Sequence, residues 1–391
     1  MPFLLVFSLA TFASAFSMRS VDPMLNIMAS DLNVTLQDVA LLATAFTLPY
    51  AAMQLVFGPI GDAVGKVRII RMNLVLLCLG LCVSALAPDH SSLLMIRMFS
   101  GAFAGGIIPV VLAAVGDRVP FDQRALALSR ILLALVMGQL IGSTAAGFIA
   151  EWLGWRAVFW VAGGIAGLAA LCAIFGITEG RQTGPVSFSN ALKRYNIVMR
   201  NPLSIKVYVV VAIEGAFTFG AFPLVAPLMV THHIGDAVEA GLVLAAFAIG
   251  GACYSLVVQF LVRTLGASHM VGIGSFSVGI LLVVAAFMPS FLGVAALFCL
   301  GGFAFYMIHN ILQILATELA PEARGSGVAL FATAFFIGQA VGAIGLAWMA
   351  GWAGPEGAFT LAGIVMVLLA LPASRLAPAR KANRSQRSTS R

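Results

Sequence analysis

The 391-residue chain is 61% hydrophobic and only 9% charged, with a mean hydropathy of +1.03 and a formal net charge of +7. A soluble domain carries roughly 25% charged residues, so a water-exposed fold is excluded and lipid becomes the solvent. The length holds about twelve spans of roughly 20 residues. The runs are apolar on every side, which excludes a membrane barrel of alternating strands and leaves helices. The basic residues are scattered, without interleaved aromatics, so no nucleic-acid partner is expected.

Taken in chain order, apolar runs long enough to span fall at about 3–29, 38–60, 70–87, 92–116, 125–150 and 156–177. After a polar stretch they resume at about 204–231, 238–262, 269–288, 291–316, 324–350 and 357–375. Residues 1–15 have the look of a signal peptide, with Ala13-Ser14-Ala15 at the end. The start lacks a basic residue and the apolar run continues past that point, so the segment is read as the first span. The five cysteines, Cys78, Cys82, Cys172, Cys253 and Cys299, all lie inside predicted helices and form no C-x-x-C pair. Packing is their expected role, with no metal site.

Lys and Arg set the orientation. With the N-terminus in the cytoplasm, 19 of the 22 basic residues fall on the cytoplasmic side, Arg156 alone on the other, and Arg19 and Arg97 within spans. The expected topology is multi-pass in a cell inner membrane, with both termini cytoplasmic. The expected divisions are an N-terminal six-helix bundle (1–177), a cytoplasmic linker (178–203), a C-terminal six-helix bundle (204–375) and a basic, disordered tail (376–391).

The halves repeat. Gly138-Gln139-Leu140-Ile141-Gly142 recurs as Gly338-Gln339-Ala340-Val341-Gly342. The same offset pairs Arg124 with Arg324, Gly154 with Gly354, Phe159 with Phe359 and Gly163 with Gly363, and a nearby one pairs Asp38 with Glu239 and Gly65 with Gly266. Ordered matches at equivalent helix positions argue for duplication. The expected fold is therefore an all-α integral membrane protein of twelve transmembrane helices in two parallel six-helix repeats, with a cavity between the halves.

After the second span the chain reads Gly58-Pro59-Ile60-Gly61-Asp62-Ala63-Val64-Gly65-Lys66-Val67-Arg68. Gly58 and Gly65 suit a tight turn and close helix approach, Asp62 a helix dipole, and Lys66 and Arg68 the headgroups. This loop resembles the signature of the major facilitator superfamily, except that Ala63 stands where that family usually carries Arg. Arg97-Met98-Phe99-Ser100-Gly101 with Gly105 resembles the family's fourth-helix pattern. Pro120–Arg124, Pro321–Gly325 and Trp155-Arg156 resemble its helix entries. Gly138, Gly142 and Gly147 resemble the fifth-helix motif of the twelve-spanner drug:proton antiporter branch, with Ser143 and Ala146 departing from it. Helix packing is the plain reading of these glycines. The resemblance implies the major facilitator fold and an antiporter driving proton-coupled efflux.

Charges within spans are costly and mark candidate sites. Arg19 and Asp22 share a face of the first span, as an internal ion pair or as a substrate or proton site. Glu214 sits near the middle of the seventh, as a proton carrier or as a carboxylate paired with an unidentified Arg or amide. Arg97 is a permanent cation that tunes a carboxylate or attracts an anion. His309, Asn310 and Gln313 form a polar face on the tenth, with His309 a titrating group or a packing residue. Gln54, Gln139, Gln259 and Gln339 are neutral polar groups for a cavity lining. No metalloprotease, serine-nucleophile or phosphate-loop motif is present, which argues against an enzyme or an ATP-driven pump. The expectation is a monomeric secondary transporter, without cofactor or metal, working with a small-molecule substrate, protons and membrane lipids. Export of small amphipathic or drug-like compounds, with Asp22 or Glu214 exchanging a proton, is the first reading. Uptake of a small organic anion on Arg19 and Arg97 is the second, and a membrane-embedded sensor or enzyme the third.

Overall fold

The computed structural model describes residues 2–178 and 188–377, all helix and turn with no strand. The basic tail and most of the linker's Gly-Pro-Ser stretch, residues 378–391 and 179–187, lie outside the described residues.

Eleven apolar helices are long enough to cross a membrane, and the last, Pro321–Ser374, runs to 54 residues. Its backbone leaves helical geometry at Ala353 and Gly354, so it is two spans joined at a kink. The twelve spans are α1 (Phe3–Leu32), α2 (Leu36–Val64), α3 (Lys66–Ala85), α4 (His90–Arg118), α5 (Phe121–Leu153) and α6 (Trp155–Gly176). The second half has α7 (Ser204–Thr231), α8 (Ala237–Leu265), α9 (Ala267–Ala286), α10 (Phe291–Glu318), α11 (324–352) and α12 (355–374). A linker helix, Phe188–Met199, lies between the halves.

The punctuation of the first half recurs in the second. The Thr35 hydroxyl accepts from the Asp38 amide at 3.2 Å and the Asp38 carboxylate accepts from the Thr35 amide at 3.1 Å, closing a capping box on α2. At the start of α8 the Glu239 carboxylate accepts from the Asp236 amide at 2.9 Å. Gly65 and Gly266 turn the chain at φ +115° and +77°, conformations a Cβ would strain. Asp89 caps α4 by accepting the Ser92 amide at 2.8 Å, and that hydrogen bond holds its carboxyl below the usual range. Ser290 caps α10 in the same way.

Two cores result. One gathers buried side chains from Leu4 to Ile177, with Ala347 as a visitor from α11. The other gathers Val198 to Ala377, and Phe336 packs against both. A Cβ on Gly138 would lie 2.6 Å from the Phe12 carbonyl oxygen, and one on Gly142 2.7 Å from that of Phe16, so α5 rides directly on α1. Gly338 and Gly342 press α11 onto α7 at Ala212 and Ala216, the same contact repeated. Gly147 belongs elsewhere: it meets the backbone of Ala237 and Val238, across the interface between halves.

The signature loop differs from expectation in one respect. Gly58 lies within α2, and a Cβ there would meet nothing within 4 Å. The helix continues through Pro49 and Pro59 to Val64, because a membrane helix re-satisfies the backbone groups that proline frees. Only Gly65 makes the turn. Lys66 pairs with Asp117 of α4, anchoring the loop to its own half. Arg68 is exposed, and the Asp62 side chain lies outside the described residues.

Candidate functional site

Both α1 and α7 are broken midway. A 3₁₀ turn occupies Asp22–Met24 in α1, and another occupies Phe219–Leu224 in α7. Each contains a proline, Pro23 and Pro223, at equivalent positions of the two halves. Interrupted spans at matching positions are where transporter sites form, since unwound backbone is tolerated only within protein or beside a cavity.

Arg19 and Asp22 face each other across the first break, Nη1 to Oδ2, at 3.2 Å, with both side chains at most 4% exposed. The second guanidinium nitrogen, Nη2, donates to Gln339 Oε1 of α11 at 3.4 Å. The cation lies over the rings of Phe219 and Phe222, at 4.5 and 5.2 Å. One guanidinium thus touches a carboxylate of its own half and an amide and two aromatic faces of the other. Beside it a cavity of about 20 Å³, room for one or two waters, is lined by Arg19, Gln139, Ser143, Phe219, Phe247 and Tyr306 among others. The Ser143 hydroxyl there is buried without a partner among the described residues.

Arg97 is fully buried, but among the described residues no carboxylate lies within 4.0 Å of it. It donates to the carbonyls of Leu42 and Ser17, both at 3.4 Å, and covers the Phe46 ring at 4.2 Å. Its Nη2 has no partner among the described residues. It therefore does not touch either candidate carboxylate.

Glu214, with no exposed side-chain surface, pairs with His309 Nδ1 at 3.3 Å. Its partner is thus a histidine of α10, and not an arginine or an amide. The second carboxylate oxygen, Oε1, has no hydrogen-bond partner among the described residues. His309 stacks on Phe305 at 5.0 Å and meets the edges of Phe331 and Phe335. Asn310 is half-buried, whereas Gln313 is exposed and takes no part. Four residues along a helix turn roughly 40° past a full circle, enough here to carry Gln313 out of the packed face.

Of the four glutamines, Gln339 reaches Arg19 and Gln139 lines the cavity. Gln54 is buried, and Gln259 is exposed. The sequence reading missed the role of Phe219, Phe222 and Tyr306. The signal was available in Pro223, which repeats Pro23. Among the described residues no three His, Cys, Asp or Glu side chains cluster to hold a metal, and all five cysteines are free thiols.

Two repeated six-helix halves, with charged and aromatic side chains converging on their interface, define a secondary-transporter architecture and not an enzyme's. The chain belongs to the major facilitator superfamily, whose profile matches residues 7–219 and 207–391. Similar proteins include the multi-drug resistance efflux pump PmrA homolog of Lactococcus lactis, 34% identical over 190 residues, 47% of this chain and 45% of that one. The uncharacterized transporter YgaY of Escherichia coli is 25% identical over 221 residues, 56% of this chain and 55% of that one. These matches span about half the length of the relatives. Among solved structures, an inward-facing, unoccupied bacterial homolog of the human lysosomal transporter Spinster aligns over 97% of this chain and 98% of its own, with TM-score 0.76 and 17% identity. A D-xylose-proton symporter aligns over 96% and 98%, with TM-score 0.73 and 17% identity. These two share the fold.

Proposed function

We propose that this transporter exports small amphipathic compounds in exchange for protons, by alternating access of two six-helix bodies, 1–177 and 204–375. The observation that carries the reading is Arg19, held at once by Asp22 of its own half and by Gln339 and Phe219 of the other. Protonation of Asp22 discharges the pair and frees the guanidinium, which changes what holds the two halves together. The aromatic lining of Phe219, Phe222, Phe247 and Tyr306 suits amphipathic rings, and the similarity to the efflux pump homolog supports export. The positive-inside distribution of Lys and Arg supports both termini in the cytoplasm of an inner membrane. The protein acts as a monomer in contact with lipid.

Inverted vesicles loaded by an imposed proton gradient, with ethidium as the amphipathic probe, test this. Asp22→Asn is expected to lose proton-driven ethidium accumulation while retaining ethidium counterflow. Undiminished proton-driven accumulation in Asp22→Asn would overturn the proposal.

A second reading, proton-coupled uptake of a small organic anion, is favoured by the buried Arg97 nitrogen, which among the described residues has neither a hydrogen-bond partner nor a carboxylate beside it. Competition by benzoate, together with accumulation in right-side-out vesicles, would select it.

A further inference from the structure

We infer that Glu214 and His309 form a second exchangeable proton site, lodged in the C-terminal half and loaded through the histidine. Three observations carry this, and none depends on Asp22.

First, Glu214 is sealed. Its side chain has no exposed surface, and a charge so buried is costly unless paired. Among the described residues, His309 is the titratable group within reach, at 3.3 Å. The pair is neutral overall when it holds one exchangeable proton, whether as carboxylate with imidazolium or as carboxylic acid with imidazole. Loading is therefore the state that burial favours, and losing the proton leaves a net negative charge among aromatic rings.

Second, the pair has one door. His309 keeps 18% of its side-chain surface exposed while Glu214 keeps none. A proton reaches the carboxylate by binding the imidazole from the exposed side and passing across the 3.3 Å hydrogen bond. The proton taken up comes from water and returns to it, so no other reactant is required. Glu214 stores the proton, and His309 relays it.

Third, the box around the imidazole suits both of its charge states. Phe305 stacks on it at 5.0 Å, and Phe331 and Phe335 close it edge-on at 5.0 and 4.9 Å. Aromatic faces accept an imidazolium as a cation and an imidazole as a ring. Phe305 and Phe335 also touch Phe219, at 5.0 and 5.3 Å, the ring that carries Arg19. Among the described residues, the titratable groups that act on Glu214 are His309 and Tyr306, both of α10, while α11 packs alongside through Phe335 at Gly215 and Gly338 at Ala212.

The test needs no substrate. Infrared spectra of the purified full-length chain are recorded as pH is stepped from about 9 to about 5, the range in which histidine titrates. Wild type is expected to gain carbonyl bands of protonated carboxylic acids. Glu214→Gln should lose one of them, and Asp22→Asn should leave that same band in place. His309→Gln should keep the Glu214 band but slow its hydrogen–deuterium exchange by at least about a hundredfold, the loss expected when a positioned proton carrier is removed. A Glu214→Gln spectrum that superimposes on wild type would overturn the assignment. So would exchange at the wild-type rate in His309→Gln, which also decides the matter if Glu214→Gln fails to fold. Loss of proton-driven ethidium transport in Asp22→Asn reports on the other site and leaves this result untouched.

Discussion

The guanidinium of Arg19 lies 4.5 Å from the ring centre of Phe219, the residue that holds its equivalent position in the other half of the chain. The two halves thus meet through positions that duplication once made identical, one now charged and one aromatic. A desolvated cation on an aromatic face is worth up to about 2 kcal/mol. Phe219→Leu keeps the side chain apolar, removes that face and leaves a small void among the neighbouring rings. It should lower the melting temperature in detergent, and Phe219→Trp should restore it. Equal melting of Phe219→Leu and wild type would show that the stacked geometry contributes nothing.

The Arg19–Asp22 pair separates stability from transport. Removing one partner of a buried pair strands the other charge, at a cost of about 3–5 kcal/mol, whereas replacing both with apolar groups is often neutral. Arg19→Met alone should therefore melt at a markedly lower temperature than wild type. Arg19→Met with Asp22→Leu should recover most of that loss yet remain unable to couple ethidium movement to protons. Coupled flux in the double variant would make the pair purely structural.

Much of this architecture was legible in the sequence, because lipid leaves little choice. Each span is a run of roughly 20 apolar residues, most of them bounded by a capping residue or a turn glycine, and the repeat of Gly65 in Gly266 kept the two halves in register. What was not legible was partnership across distance. Periodicity tells which face Glu214 occupies, but not that the facing group is His309, 95 positions away. Gln339 was visible as a repeat of Gln139, yet only the folded interface aims it at Arg19. Gly58 was misplaced for a local reason: two glycines bracket the signature loop, and the sequence alone does not say at which one the helix ends.

Gly142 and Gly147, five residues apart on α5, should respond differently to the same substitution. A side chain at Gly142 collides with α1 inside its own half, 2.7 Å from the Phe16 carbonyl. Gly142→Leu should therefore destabilise the fold and reduce the yield of monodisperse protein. A side chain at Gly147 collides instead with Ala237 and Val238 of α8, across the interface. Gly147→Leu should fold normally and hold that end of the bundle apart. Cysteines introduced near Ala237 should then label faster than in wild type, with transport reduced. Equal labelling would mean that α5 and α8 never separate there.

The halves also carry one clamp with the acid on opposite sides. In the first, Arg156 at the start of α6 reaches Asp31 at the end of α1 at 2.5 Å, and the Trp155 ring nitrogen donates to the same carboxylate at 2.8 Å. In the second, Glu356 stands where Arg156 does, and faces His232 at 3.6 Å. Duplication has kept the contact and moved its acid from the end of one helix to the start of the other. Arg156 and Asp31 are 43% and 47% exposed, so their pairing is worth about 0.2–1 kcal/mol after screening. Arg156→Glu sets like charges against each other and should lower the melting temperature by more than Arg156→Gln does. Exchanging both partners, Arg156→Glu with Asp31→Arg, gives the first half the acid on α6 that the second half already has, and should restore most of the loss at low salt. The restoration should shrink as salt rises, because only the screened Coulomb part has been rebuilt. A double variant no more stable than Arg156→Glu would assign the clamp to the Trp155 hydrogen bond instead.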